Sequence, residues 1–174
     1  MKKKIKKNHG ILFWITGLSG SGKTLIAKKI KKNISKNYGP TVVISGDDLR
    51  NIFQLKGYSY SERLKTVKKY CKFSKFFTSQ GINVIFAVIG MIDQIRNWNK
   101  KNIKNYVEIF IKSEIKTIIK NRKKKIYRDF NKNIVGLDIR PELPKKPDII
   151  IRNNFKRNID ELSKELFLKI KKKI

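Results

Sequence analysis

Gly17-Leu18-Ser19-Gly20-Ser21-Gly22-Lys23-Thr24 fits the pattern G-x-x-x-x-G-K-[ST] at every position. Glycines let the backbone turn so that successive N–H groups point inward and form an anion-binding concavity, which side chains there would obstruct. Lys23 then reaches the β and γ phosphates of ATP, Thr24 offers a hydroxyl to Mg²⁺, and the helix that follows aims its positive end at the same anion. Gly17, Leu18, Ser19, Gly20, Ser21, Gly22, Lys23 and Thr24 are therefore the expected nucleotide-binding residues. Upstream, Ile11 to Thr16 is a short apolar run suited to a buried parallel strand. Downstream, Leu25, Ile26, Ile30 and Ile34 recur at helical spacing among lysines. Strand, loop and helix stand in the order that a phosphate loop requires.

Working outward, Asn37-Tyr38-Gly39-Pro40 breaks the chain and Thr41 to Ile44 reads as a second buried strand. It ends in Ser45-Gly46-Asp47-Asp48-Leu49-Arg50. In an open parallel sheet ligands bind beyond the carboxyl ends of the strands, so these acids and the arginine face the crevice of the phosphate loop. A capping turn, with Asp47 or Asp48 as the cap of a short helix, is compatible with the same residues. Gly57-Tyr58-Ser59 is a loop. Residues 61–78 form a helix with Leu64, Val67, Cys71, Ser74 and Phe77 along one stripe, and Gly81 ends it. Residues 82–89 read as a third strand interrupted only by Asn83, a short helix lies around 93–98, 106–111 is a fourth strand, and 113–121 a helix. Pro141, Pro144 and Pro147 mark an extended crossing before a last strand at 148–152. An amphipathic helix carrying Ile159, Leu162, Leu166, Phe167 and Ile170 closes the chain. Five strands alternating with helices predict an α/β fold of the P-loop NTPase type, an open parallel five-stranded sheet with helices on both faces.

Lys and Arg total 43 against 13 Asp and Glu, a net charge of +30. Such a charge raises nucleic acid or an anionic membrane as partners. The lysines are spread over almost every segment, however, and Tyr and Phe mostly take core-like positions, so a specific nucleic-acid face is not expected. No apolar run approaches the ~18 residues of a membrane span. A single cysteine, Cys71, excludes an internal disulfide and suits a reducing, cytoplasmic compartment. Residues 1–10 read as a solvated basic arm and 11–174 as one domain. Within it, Arg122 to Arg128 concentrates positive charge with little apolar periodicity. That run is either a solvated face or a basic lid, about residues 121–133, closing over nucleotide.

From residue 11 to about 152, the chain resembles the adenylylsulfate kinase family, which uses MgATP to phosphorylate the 3′-hydroxyl of adenosine 5′-phosphosulfate. Besides the phosphate loop, Gly46-Asp47 with Arg50 is similar to the family's Asp-Gly-Asp-Asn-x-Arg, and Gly57-Tyr58-Ser59 with Arg63 to its Gly-Phe-Ser followed by Arg. Asn133, Gly136 and Asp138 match Asn-Phe-Thr-Gly-x-Asp, and Glu142, Pro144 and Pro147 match Glu-x-Pro-x-x-Pro. The resemblance implies that Lys23 and Asp47 are catalytic, Asp47 orienting and deprotonating the hydroxyl or, with Thr24, ordering the metal; Asp48 is the reserve candidate. Arg50 and Arg63 are expected to bind the acceptor's 5′ phosphates, Tyr58 and Ile134 to flank its base, and Ile89 and Lys132 to line its site. Lys124, Tyr127 and Arg128 would close the lid, and a homodimer is expected.

Departures from the family gather on the acceptor side. Ser45 and Asp48 replace an aspartate and an asparagine, Thr66 another asparagine, and Gly90-Met91 a Ser-Pro pair. Ile134 stands where the family stacks a phenylalanine on adenine, and the lid is shorter. An aromatic–base stack contributes roughly 1–3 kcal/mol, so losing one of two walls weakens purine binding by about one to two orders of magnitude. This pattern resembles a divergent branch, the cytidine diphosphoramidate kinases of bacterial capsular phosphoramidate synthesis, which phosphorylate the 3′-hydroxyl of a cytidine ribose. An ordinary adenylylsulfate kinase is the alternative, and a basic nucleic-acid-associated P-loop protein the alternative of a different class.

Overall fold

The computed structural model describes residues 3–6, 8–122 and 133–174. Its strands are β1 (Leu12–Thr16), β2 (Thr41–Ser45), β3 (Asn83–Val88), β4 (Tyr106–Lys112) and β5 (Ile149–Arg152). The helices are α1 (Lys23–Tyr38), α2 (Gly46–Ile52), α3 (Tyr60–Ser79), α4 (Asp93–Asn102), α5 (Ile115–Arg122) and α6 (Ile159–Lys173). All strand pairs are parallel, in the order β2-β3-β1-β4-β5. The expected five-stranded parallel α/β sheet is therefore found.

Period-two alternation divides the central strand between two cores. Phe13 and Ile15 of β1 join Ile26, Ile30 and Ile34 of α1 and Leu162, Leu166 and Ile170 of α6. Leu12 and Trp14 point the other way, onto Val67, Tyr70 and Cys71 of α3 and Ile92 and Ile95 at α4. With both faces covered, the strands read as continuous apolar runs. Burial pushes the Cys71 thiol up to about 12, so it packs as a neutral hydrophobe. Asn83, an interruption in the sequence pattern, is buried at the foot of β3. Its amide donates to Tyr38 O (2.8 Å) and accepts from Ile11 N (2.9 Å), joining three elements.

One expectation is corrected here. The arm is not simply solvated: Lys3 N donates to Lys173 O (2.7 Å), Lys3 Nζ pairs with Asp148 (2.5 Å), and Ile5 packs on the core. Such contacts lie at the foot of the sheet, away from the phosphate loop. Phe53, just after α2, and Phe76 of α3 are more than half exposed. Among the described residues, no helix is long and apolar enough to cross a membrane.

Charge enters the core once in force. Glu108 of β4 and Arg96 of α4 are 1% and 3% exposed, with Arg96 Nε 3.1 Å from Glu108 Oε1 and Lys100 Nζ 3.0 Å from Oε2. The Arg96 guanidinium continues to Asp93 and to Gly90 O. Breaking such a pair strands a buried charge, at a cost of about 3–5 kcal/mol. Arg96→Ala should lower stability by about that amount in urea unfolding, and the Arg96→Met/Glu108→Leu double variant by less. A loss below ~1 kcal/mol for the single variant would contradict this reading of the pair.

Candidate active site

The topology fixes where the site lies. β1 leads to α1 and on toward β2 at one edge, while β4 and β5 extend the sheet the other way, so the crevice above β1 is the switch point where ligands bind. Residues 17–22 cross this crevice as a loop of backbone. Gly22, at φ 94°, occupies the left-handed region as the cap of α1, a conformation costly for a residue with a Cβ. The loop is pinned from below, where Asn153 after β5 donates to Ser21 O (3.0 Å). Lys23, buried, folds back onto Leu18 O at 2.6 Å.

A cavity of about 530 Å³ runs from this loop across the ends of β2 and β3. Ser19, Gly20, Gly22, Lys23 and Thr24 line its loop end. Asp47, Arg50, Tyr58, Arg63 and Ile89 line the rest, so both halves of the expected site share one space. Asp47 and Asp48 part company within α2. Ser45, not either aspartate, caps the helix, and Asp48 closes the capping box by accepting from Ser45 N (3.3 Å). Asp47 remains on the cavity side, exposed and without a hydrogen bond or ion pair among the described residues.

Arg50 and Arg63 are built around Tyr58. Arg50 Nη1 donates to Leu55 O and Gly57 O, both at 3.0 Å. Arg63 donates to Tyr58 O (2.7 Å) and Asn133 O (2.9 Å). Their guanidinium carbons lie 4.4 and 5.1 Å from the Tyr58 ring centroid, within cation–π reach. Burial, then the neighbouring Arg50, lowers the Arg63 guanidinium from its ordinary value. The ring is about half exposed and faces the cavity.

Ile134 is placed differently from expectation. It is buried outside the cavity lining, while Val135 and Ile139 form that wall. The cause is a tight turn in which Asp138 Oδ2 accepts from Ile134 N (2.8 Å) and Ile134 O accepts from residues 137–139. Lys132 and the lid residues Lys124, Tyr127 and Arg128 lie outside the described residues.

Tyr70 and Tyr60 join the site without having been singled out, and Glu142 and Gly90 gain physical roles. Tyr70 lines the cavity, donates to Gly46 O (3.1 Å), and is pushed up to about 12 by burial. Its spacing from Arg63 and Val67 on one helical face was the available signal. Tyr60 OH donates to Glu142 Oε1 (3.0 Å), and this bond, more than burial, raises the phenol above its ordinary value. Glu142 Oε2 meanwhile accepts from Asp93 N (2.5 Å), capping α4 from a distant segment. Gly90, at φ 45°, leaves no room for a side chain, because a Cβ would stand 2.9 Å from Val88 Cγ1 and 3.0 Å from the Trp14 ring.

Among the described residues no group of three or more His, Cys, Asp or Glu is arranged to hold a metal. Thr24 and Asp47 across one cavity suit Mg²⁺ shared with phosphate oxygens, a hard cation that is usually held by few protein ligands.

The adenylylsulphate kinase family model matches residues 9–152. Cytidine diphosphoramidate kinase of Campylobacter jejuni is 35% identical over 159 residues, covering 89% of this chain and 93% of that protein. Adenylyl-sulfate kinase of Clostridium acetobutylicum is 31% identical over 156 residues, covering 86% and 78%. The fold matches that of Mycobacterium tuberculosis APS kinase in complex with AMPPNP and APS. The TM-score is 0.82 at 23% identity, covering 94% of this chain and 98% of that one.

Arg63→Ala removes both anchors between α3 and the flanking loops. Hydrogen bonds from a charged donor contribute about 1.5–3 kcal/mol each, so amide exchange over residues 56–60 should accelerate by more than ~10-fold while α1 is unchanged. Unchanged exchange in that loop would show that Arg63 does not hold it.

Proposed function

The chain belongs to the adenylylsulphate kinase family of nucleotide kinases, and on that premise we propose that it transfers the γ-phosphoryl group of ATP to the ribose 3′-hydroxyl of a nucleotide, cytidine diphosphoramidate rather than adenosine 5′-phosphosulfate. The observation that carries this reading is one cavity holding the phosphate loop at one end and Asp47, Tyr58 and the arginines at the other. The cytidine acceptor is supported by the 35% identity to the Campylobacter enzyme and by Val135 and Ile139 in the cavity lining, in the segment where the family pattern carries a phenylalanine. A pyrimidine needs less stacking surface than a purine. The capsular pathway expected from the resemblance goes with that acceptor, and the homodimer enters on the resemblance alone.

Backbone N–H groups of Leu18 to Lys23 hold the β phosphate, and Lys23 exchanges Leu18 O for the β and γ oxygens. Asp47 orients the acceptor hydroxyl and takes its proton as the bond from the 3′-oxygen to the γ phosphorus forms and the bond to the β-bridging oxygen breaks, releasing ADP. Bound Mg²⁺, held by Thr24 and by Asp47 through water, would offset the charge that develops on the phosphoryl oxygens. Most of the work is positioning and electrostatics, as phosphoryl transfer requires.

ADP release with MgATP, compared for cytidine diphosphoramidate, CDP and adenosine 5′-phosphosulfate, tests the proposal when ³¹P NMR assigns the new phosphate. Preference for the cytidine compounds with a 3′-phosphate product is expected, and Lys23→Ala should abolish transfer. Preference for adenosine 5′-phosphosulfate would establish an ordinary sulfate-activation kinase.

A further inference from the structure

Among the described lining residues, three guanidiniums lie beyond the phosphate loop, those of Arg50, Arg63 and Arg140, and Asp47 is the only acid. They are not equivalent. Arg50 and Arg63 each donate to two backbone carbonyls and lie over the Tyr58 ring, so much of their hydrogen-bonding capacity holds the loop that presents that ring. Arg140 is exposed and makes no hydrogen bond or ion pair through its guanidinium among the described residues.

The position of Arg140 is nonetheless well fixed. Pro141 follows it and restricts the backbone. Two residues on, Glu142 is held three ways, by its N–H to Met91 O (3.1 Å) and by its carboxylate to Tyr60 OH and Asp93 N. These bonds tie the segment to the loop after β3 and to the start of α3, both of which line the cavity. An arginine there has five donors in a planar fork directed at an open, cation-lined space. Its natural counterpart is a tetrahedral oxyanion carried by the ligand.

Resting on the kinase reading above, we propose that Arg140 is a specificity-determining residue that binds the outer of two tetrahedral anionic groups on the acceptor's 5′ side. The acceptor is then of the nucleoside 5′-diphosphate type, and nucleoside 5′-monophosphates, lacking the outer group, are discriminated against. Arg50 and Arg63 serve chiefly to present Tyr58 to the base, with their remaining N–H groups turned to the inner group.

The test uses the full-length protein with cytidine diphosphoramidate and adenosine 5′-phosphosulfate as acceptors, and CMP and AMP as competing monophosphates. In Arg140→Ala, KM for the acceptor that the wild type prefers should rise roughly 10- to 100-fold, as loss of a charge-assisted contact implies. The inhibition constant of the matching monophosphate should move less than ~3-fold, and Arg140→Lys should recover part of the loss. Affinity for an ATP analogue and the melting temperature, both unchanged, verify that the variant is folded. Equal shifts for acceptor and monophosphate, or no shift in either, would overturn the assignment while leaving the kinase reading in place. Absence of transfer by the wild type to either acceptor would overturn the kinase reading and the role of Arg140 with it.

Discussion

A turn of bare backbone between β1 and α1 must stay open toward an anion, and the surrounding structure is arranged to keep it so. Peptide N–H groups can bind phosphate only if no side chain fills the concavity and the turn does not collapse onto itself. Asn153 holds the loop through Ser21 O from beneath, and Thr16 joins the end of β1 to Ile89 O at the end of β3. Lys23 occupies Leu18 O in the meantime, which keeps a buried ammonium hydrogen-bonded. The sheet order places this turn over the crevice between β3 and β4, the neighbours of β1.

Across the cavity the acceptor end is set by polar ties and not by helices alone. Arg96, paired with Glu108 in the core, reaches the Gly90 carbonyl at 3.4 Å. Glu142 caps α4 and holds Tyr60, and Arg63 links the Tyr58 loop to Asn133. Each tie joins segments far apart in sequence. The extreme positive charge of the chain matters most here, where arginines converge with one carboxylate. Elsewhere, among the described residues, most lysines lie exposed on the surface, where salt screens them.

Periodicity and glycine chemistry made the scaffold legible: the phosphate loop, all five strands and Ile26, Ile30 and Ile34 on the buried face of α1 stand where the pattern puts them, whereas Leu25 is exposed. Legibility failed where conformation depends on hydrogen bonds across the chain. Nothing local distinguishes Ile134 from Val135, and both are buried, yet only Val135 lines the cavity, Ile134 being held in the Asp138 turn. The sequence offers Asp47 or Asp48 as the cap of α2, yet Ser45 takes that place and Asp48 closes the capping box. Glu142 matched a family pattern without its physical role, as a cap for α4, being visible. Arm residues near Lys3 looked like a free charge run because their partners, Asp148 and Lys173, lie at the other end of the chain.

The central claim, that donor and acceptor meet in one cavity with Asp47 at the junction, is tested most directly by a crystal structure with a non-hydrolysable ATP analogue and cytidine diphosphoramidate. The account predicts a base against Tyr58, a ribose 3′-oxygen within hydrogen-bond reach of Asp47, and in-line geometry to the γ phosphorus above Lys23. An acceptor bound outside this cavity, or a 3′-oxygen remote from Asp47, would contradict it.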